Sequence, residues 1–303
     1  MNFFQLLGLG YKNYVKGIGF LIKHRLYWFA LFPLILFVGV YWLGTYFESI
    51  ELSIGRDIAK EVKNLDSLNE VTWRSVQMHI FGVLNTIFTK FTLYIVVVIL
   101  SPLLSFLSER IEKILTGNKY KFSLIQLMHD IRRGLKIALR NISWEYFIIV
   151  LMIGLTSFMD SSFKDFLVLA VTIPIGFYFY GFAFMDYINE RRRLNIQQSI
   201  YFVSKHKGLA VAIGSIYSIF FLSFFYVFRN ISKFPTDTST QLFWGSILVI
   251  TFLLAAIAPI LAITSATLSM HDLVDLSKNE HALREQKEAE AHKIENETVQ
   301  EEE

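Results

Sequence analysis

Ser101 to Gly117 reads SPLLSFLSERIEKILTG, directly after the apolar run Phe91–Leu100. The apolar run meets a proline, continues with no turn residues and becomes amphipathic before ending in Thr-Gly. A continuous apolar segment of this kind needs a bilayer or a large core, whereas Glu109, Arg110, Glu112 and Lys113 need water. The stretch therefore reads as a membrane helix leaving the lipid while still helical. Pro102 lacks a backbone donor and clashes with the carbonyl of Val98, which predicts a bend at the exit.

The rest of the chain extends this reading. Of its 303 residues 53% are hydrophobic, including 29 Phe, and the mean hydropathy is +0.44. Such a composition excludes an ordinary soluble domain and points to a multi-pass membrane protein. There are no cysteines, so disulfides, thiolate metal sites and cysteine nucleophiles are excluded. No cleavable signal peptide is expected, because the first long apolar run begins near Leu26 and no small-residue cleavage site follows it.

Six apolar segments follow one another: Leu26–Phe47, Gly82–Leu107, Trp144–Met159, Phe166–Ile188, Leu209–Phe228 and Leu242–Met270. A spanning helix needs roughly 20 residues, and the first two and the last reach this. Trp144–Met159 is short, and Pro174 and Gly176 interrupt the next segment. Brief polar turns join the third to sixth segments into two helical hairpins, which cross the bilayer fully or only in part. The expected fold is an all-α integral membrane protein, with two long transmembrane helices, two hairpins and amphipathic cytoplasmic helices. Residues 1–275 form its membrane domain. Residues 276–303 form an acidic cytoplasmic tail, helical or disordered.

Lys and Arg fix the orientation. They concentrate in Arg110–Arg140, with eight, and in Arg191–Lys207, with five, whereas the two hairpin tips carry one and two. The positive-inside rule then places both termini in the cytoplasm. Three basic amphipathic stretches abut the membrane segments. In the first, Phe4, Leu7, Tyr11, Val15, Ile18 and Ile22 oppose Lys12, Lys16 and Lys23. In the second, Leu124, Met128, Ile131, Leu135 and Ile142 accompany a stripe of Arg132, Lys136 and Arg140. In the third, Ile196, Ile200 and Val203 follow Arg191, Arg192 and Arg193. With Arg133, these arginines and Lys136 are candidates for lipid-phosphate contact in the headgroup layer, and lipid rather than nucleic acid is the expected partner.

The chain carries no Gly-rich phosphate loop, no His-Glu-x-x-His and no Gly-x-Ser-x-Gly, and its seven His lack metal-ligand spacing. Neither an enzyme nor a cofactor is expected, and no metal. Polar groups inside or beside lipid are more informative, because each is costly there. Lys90 snorkels outward or lines an ion path. Asp186, where an apolar helix meets Arg191–Arg193, is an interfacial anchor or a buried partner for a cytoplasmic Arg. Glu109 and Glu112 are set to pair with nearby Lys or Arg.

Four blocks, in order, resemble the family that contains the CysZ sulfate permeases and the etoposide-induced membrane proteins. They are the helix with Phe29-Ala-Leu-Phe-Pro33, then Pro102 with Glu109, Glu112 and Gly117, then Asp186-Tyr187 with the following basic helix ending at His206-Lys-Gly208, and Ala258-Pro259 running to Asp272. The resemblance implies a helical membrane protein that forms a homo-oligomer and carries sulfate or a similar small anion without an ATPase motor, and the high Ile, Phe, Asn and Lys content suits a bacterial inner membrane. A non-transporting scaffold or lipid-organising protein is the alternative. In the family the anion site is placed at a Gly and a basic pair just before the proline matching Pro33. Here Tyr27-Trp28 stands for the pair and Arg25 for the Gly, which makes Lys23, His24 and Arg25 the anion-binding candidates. A helix start can hold an oxyanion through its N–H groups.

Overall fold

The computed structural model describes residues 1–64, 73, 76–77, 79–80, 94–120, 124–159, 161–230, 237–280 and 283–284. Lys90 and residues 82–93 of the expected second long helix lie outside the described residues. The chain divides into two compact units, one of residues 1–30 and 100–303, the other of residues 31–99.

In the smaller unit α2 (Leu31–Asn64) takes up the first apolar segment. Pro33 is its third residue, where the missing N–H would have had no partner in any case. The helix runs past the apolar segment, which ends at Phe47, through the polar residues from Glu48 to Asn64.

The larger unit is built from α1 (Phe3–Lys23), α3 (Ser101–Thr116), α4 (Leu124–Leu155), α5 (Ser161–Arg191), α6 (Ile196–Lys205), α7 (Lys207–Asn230) and α8 (Thr238–Val274). Its extended structure, among the described residues, is a two-residue ladder. In it β1 (Asn118–Lys119) runs antiparallel to β2 (Leu283–Arg284), pairing Asn118 with Arg284. Among the described residues, four helical stretches are each long and apolar enough to cross a membrane: Ile131–Leu155, Phe166–Arg191, Lys207–Phe228 and Thr238–Val274. They are the two expected hairpins, α4–α5 and α7–α8.

Two readings of the sequence change here. The amphipathic stretch from Leu124 and the short segment Trp144–Met159 are one continuous helix, α4. The basic stripe is thus part of the same helix as a candidate membrane span and not a separate helix. Pro102 does not bend a continuous helix. It is the second residue of α3, after a turn at Leu100. The acidic tail begins docked: Leu276 is 1% exposed, and its carbonyl accepts from Asn118 Nδ2 at 2.7 Å.

Local sequence explains the helix ends. Asn2 and Gln5 exchange side-chain and backbone hydrogen bonds at the start of α1, and Asn195 and Gln198 repeat this at α6. Arg193, at φ 58°, reverses the chain between α5 and α6. Gly117, at φ 75°, ends α3 with its N–H on the carbonyl of Lys113.

Packing follows residue size. α7 lies against α1, α5 and α8. Where it crosses α5, a Cβ on Gly181 would run into the carbonyl oxygen of Ala210, and one on Gly214 into that of Phe177. Such close backbone approach is what small residues permit between membrane helices, where apolar faces gain nothing from leaving lipid. The inner half of α8 is similarly small, from Ala255 to Met270 around buried Pro259. Its outer half leaves Leu242, Phe243, Val249 and Ile250 exposed, as a lipid-facing surface does. On α1 the inward face is Leu6, Gly10, Asn13, Tyr14, Gly17 and Leu21. The apolar stripe of Phe4, Val15, Ile18 and Ile22 points outward.

Gly181→Val should therefore separate α5 from α7 and cost at least about 1–3 kcal/mol. Its unfolding temperature in detergent should fall. Gly154→Ala, with nothing within 4 Å of the added Cβ, should leave the temperature unchanged.

Candidate functional site

The last two turns of α5 carry Asp186, Tyr187, Asn189, Glu190 and Arg191, all of them buried or nearly so. Charges can sit there only if each is matched. Arg133 of α4 meets Asp186 through both arms of its guanidinium, Nε to Oδ2 at 2.9 Å and Nη2 to Oδ1 at 2.7 Å. Its Nη1 donates to the carbonyl of Leu194 at 2.6 Å. Ser199 of α6 donates to Asp186 Oδ1 at 2.5 Å and accepts from Asn189 Nδ2 at 3.0 Å.

One and a half turns on, Arg191 Nε donates to Glu112 Oε2 of α3 at 3.0 Å, and its Nη2 to Ser108 Oγ at 2.7 Å. Glu112 is fully buried. Its other oxygen, Oε1, accepts from Tyr120 Oη at 2.5 Å and Asn118 Nδ2 at 3.2 Å. Ser108 Oγ lies 2.7 Å from Thr267 Oγ1 of α8. Asn279 closes the cluster from the C-terminal segment, donating to Tyr120 Oη at 2.7 Å. Burial, then the charge of Glu112, holds the Tyr120 phenol above its ordinary range. Two buried ion pairs thus tie α5 to α3, α4, α6 and, through hydroxyls, α8.

The candidates from the sequence divide. Asp186 is the buried partner of an Arg, as the second of its two readings has it. Arg133 and Arg191, expected at lipid phosphates, instead turn inward onto carboxylates, because Asp186 and Glu112 would otherwise be buried uncompensated. Glu112 does pair with an Arg, though not a local one. Glu109 is half-buried, and burial pushes its carboxyl above the usual range, opposed by Arg191 and Arg110. Tyr187 is buried, and its carbonyl accepts from Arg191 Nη1 at 3.3 Å. Arg132, Lys136 and Arg193 are exposed, as lipid contact requires. Arg192 is partly buried, with its guanidinium 5.0 Å from the Phe202 ring.

Lys23 and Arg25 are exposed and His24 is partly so, its ring tilted against that of Phe20 with the centroids 4.4 Å apart. Arg25 is left-handed, at φ 55°, a backbone state that favours glycine. This is the position where the resemblance places a Gly. Leu26–Ala30 then forms one 3-10 turn carrying the exposed rings of Tyr27 and Trp28.

Ser108, Asn118, Tyr120, Ser199, Thr267 and Asn279 were not legible as cluster members. They are polar residues whose contacts span up to 159 positions, and no spacing marks them. A second contact of this kind joins α1 to α8, where Asn13 Nδ2 donates to Ser269 Oγ and Asp272 Oδ2, each at 3.0 Å.

A family model described as Sulfate transporter CysZ/Etoposide-induced protein 2.4 matches residues 13–228. No curated protein matches the chain.

Removing one member of a buried pair leaves a charge unmatched, at about 3–5 kcal/mol. Arg133→Met and Asp186→Leu should each lower the unfolding temperature steeply, whereas the double variant should recover much of the loss. Glu109 gives a pH signature. Its raised carboxyl favours the protonated folded state, so its contribution is full below the unfolded pKa and falls as pH rises. Glu109→Gln should hence stabilise the protein near about pH 7 and the gain should vanish toward about pH 4, as read by thermal unfolding of both forms across that range.

Proposed function

The chain belongs to the sulfate transporter CysZ/etoposide-induced protein 2.4 family, and from that membership we propose that it passes sulfate or a similar small oxyanion across a bacterial inner membrane. It is a multi-pass helical membrane protein that resembles sulfate transporters. The family match over residues 13–228 carries the reading. Lys23, His24 and Arg25 are the proposed anion contacts. They cluster where α1 ends, and the left-handed backbone at Arg25 supports this. The same family membership supports a homo-oligomer, and a transport role rather than an enzymatic one.

Scaffolding or lipid organisation is the second reading. It is favoured by the exposed Arg132 and Lys136 beside exposed Leu135 and Leu139 on α4. Such a surface would place cations at anionic headgroups with apolar side chains below them.

Sulfate uptake into proteoliposomes separates the two. Wild type should exceed empty vesicles, and Arg25→Ala should raise the half-saturating concentration roughly tenfold, for a lost charge-assisted hydrogen bond of about 1.5–3 kcal/mol. Uptake no greater than that of empty vesicles, for sulfate and related oxyanions, would leave the scaffold. Orientation is read independently, since the chain contains no cysteine. A single Cys at Ser157 or Thr238 should react with an impermeant thiol reagent from outside the cell, and one at Asn2 or Ser204 only after permeabilisation.

A further inference from the structure

Arg140 lies in the Ile131–Leu155 span of α4, about 10 Å further along the axis than Arg133. Arg133 and Arg191 each have a buried carboxylate. Arg140 has none among the described residues. Its Nη1 donates to Asn141 Oδ1 at 3.2 Å. Asn141 is itself fixed, because its Nδ2 donates to the carbonyl of Phe179 at 3.2 Å and its side chain is fully buried. On one side the guanidinium faces the ring of Phe182, 5.4 Å from its centroid. A guanidinium offers five N–H donors in a planar fork, so most of the fork has no protein acceptor among the described residues. Tyr178 stands one turn before Phe182 on α5 and so on the same face of that helix as the ring that meets Arg140, and its hydroxyl also has no protein partner among the described residues.

A half-buried cation in a spanning helix is costly unless an anion or a polar partner meets it. We propose that Arg140 and Tyr178 form a seat for one tetrahedral oxyanion between α4 and α5. The fork fits two oxygens of a sulfate or phosphate group, and the phenol hydroxyl supplies a third donor. Phe182 shields the fork from one side and Asn141 sets its plane. A free ion and a lipid phosphate headgroup share this chemistry. The seat uses none of Lys23, His24 or Arg25, and it requires no transport.

The experiment reads binding alone, on the purified full chain. One arm is thermal unfolding in a neutral detergent, with sodium sulfate titrated against sodium chloride at matched ionic strength. The other compares nanodiscs of neutral lipid with nanodiscs containing phosphatidylglycerol. Sulfate raises the stability of many proteins by exclusion from their surface, so the result is the difference between wild type and Arg140→Gln. A saturable shift with sulfate, lost in Arg140→Gln, identifies the free ion. A shift confined to phosphatidylglycerol, lost in the same variant, identifies the headgroup. Arg140→Lys keeps the charge without the fork and should weaken the apparent affinity roughly tenfold, and Tyr178→Phe several-fold, each losing about one charge-assisted hydrogen bond. Arg132→Gln should keep the full shift. If Arg140→Gln does not fold, Arg140→Lys and Tyr178→Phe decide the matter. No saturable shift in wild type, or the same shift in the Arg140 and Tyr178 variants, overturns the seat and leaves the uptake prediction untouched.

Discussion

Asp186 and Arg191 lie five residues apart on α5, and each is neutralised by a partner on another helix. The pairing of Asp186 with Arg133 fixes α4, and that of Arg191 with Glu112 fixes α3. Neither charge can be released cheaply, because its partner would stay buried without compensation. The end of α5 is therefore the joint on which the larger unit is assembled. Ser199 brings α6 to the same carboxylate, Thr267 brings α8 to the same hydroxyl network, and Asn279 adds the C-terminal segment.

Away from this joint the helices are held by shape. Gly181 and Gly214 let α5 and α7 touch backbone to backbone, and the inner half of α8 buries a run rich in Ala, Ser and Thr. In lipid an apolar side chain gains little by moving from tails to a neighbouring helix, so close contact and hydrogen bonds supply what the hydrophobic effect supplies in water. The outward stripe on α1 follows from this. Phe4, Val15, Ile18 and Ile22 form an apolar face that stays exposed, yet the face that packs mixes Leu6, Tyr14 and Leu21 with the small and polar Gly10, Asn13 and Gly17.

The arginines show how one residue type is put to different uses by its neighbours. Arg132 and Arg193 face outward, and Arg133 and Arg191 are locked to carboxylates. Arg140, seven residues after Arg133 and so on nearly the same face of α4, meets an aromatic ring and an amide in place of an acid. In the sequence all five belong to basic patches beside apolar segments and read alike.

The sequence by itself determined the all-α membrane class, the two hairpins and the family, because hydropathy and block order are local properties that survive without coordinates. It also singled out Asp186 and Glu112, since a carboxylate beside lipid is conspicuous wherever it lies. Only the tertiary structure decided their partners. Arg133 was one of eight basic residues between Arg110 and Arg140, and nothing in the chain's order distinguishes the one that reaches Asp186 across 53 positions. The same holds for the continuity of α4 and for the face that α1 buries. These depend on which helix lies alongside, and that is set by close packing and by the need to match buried charge.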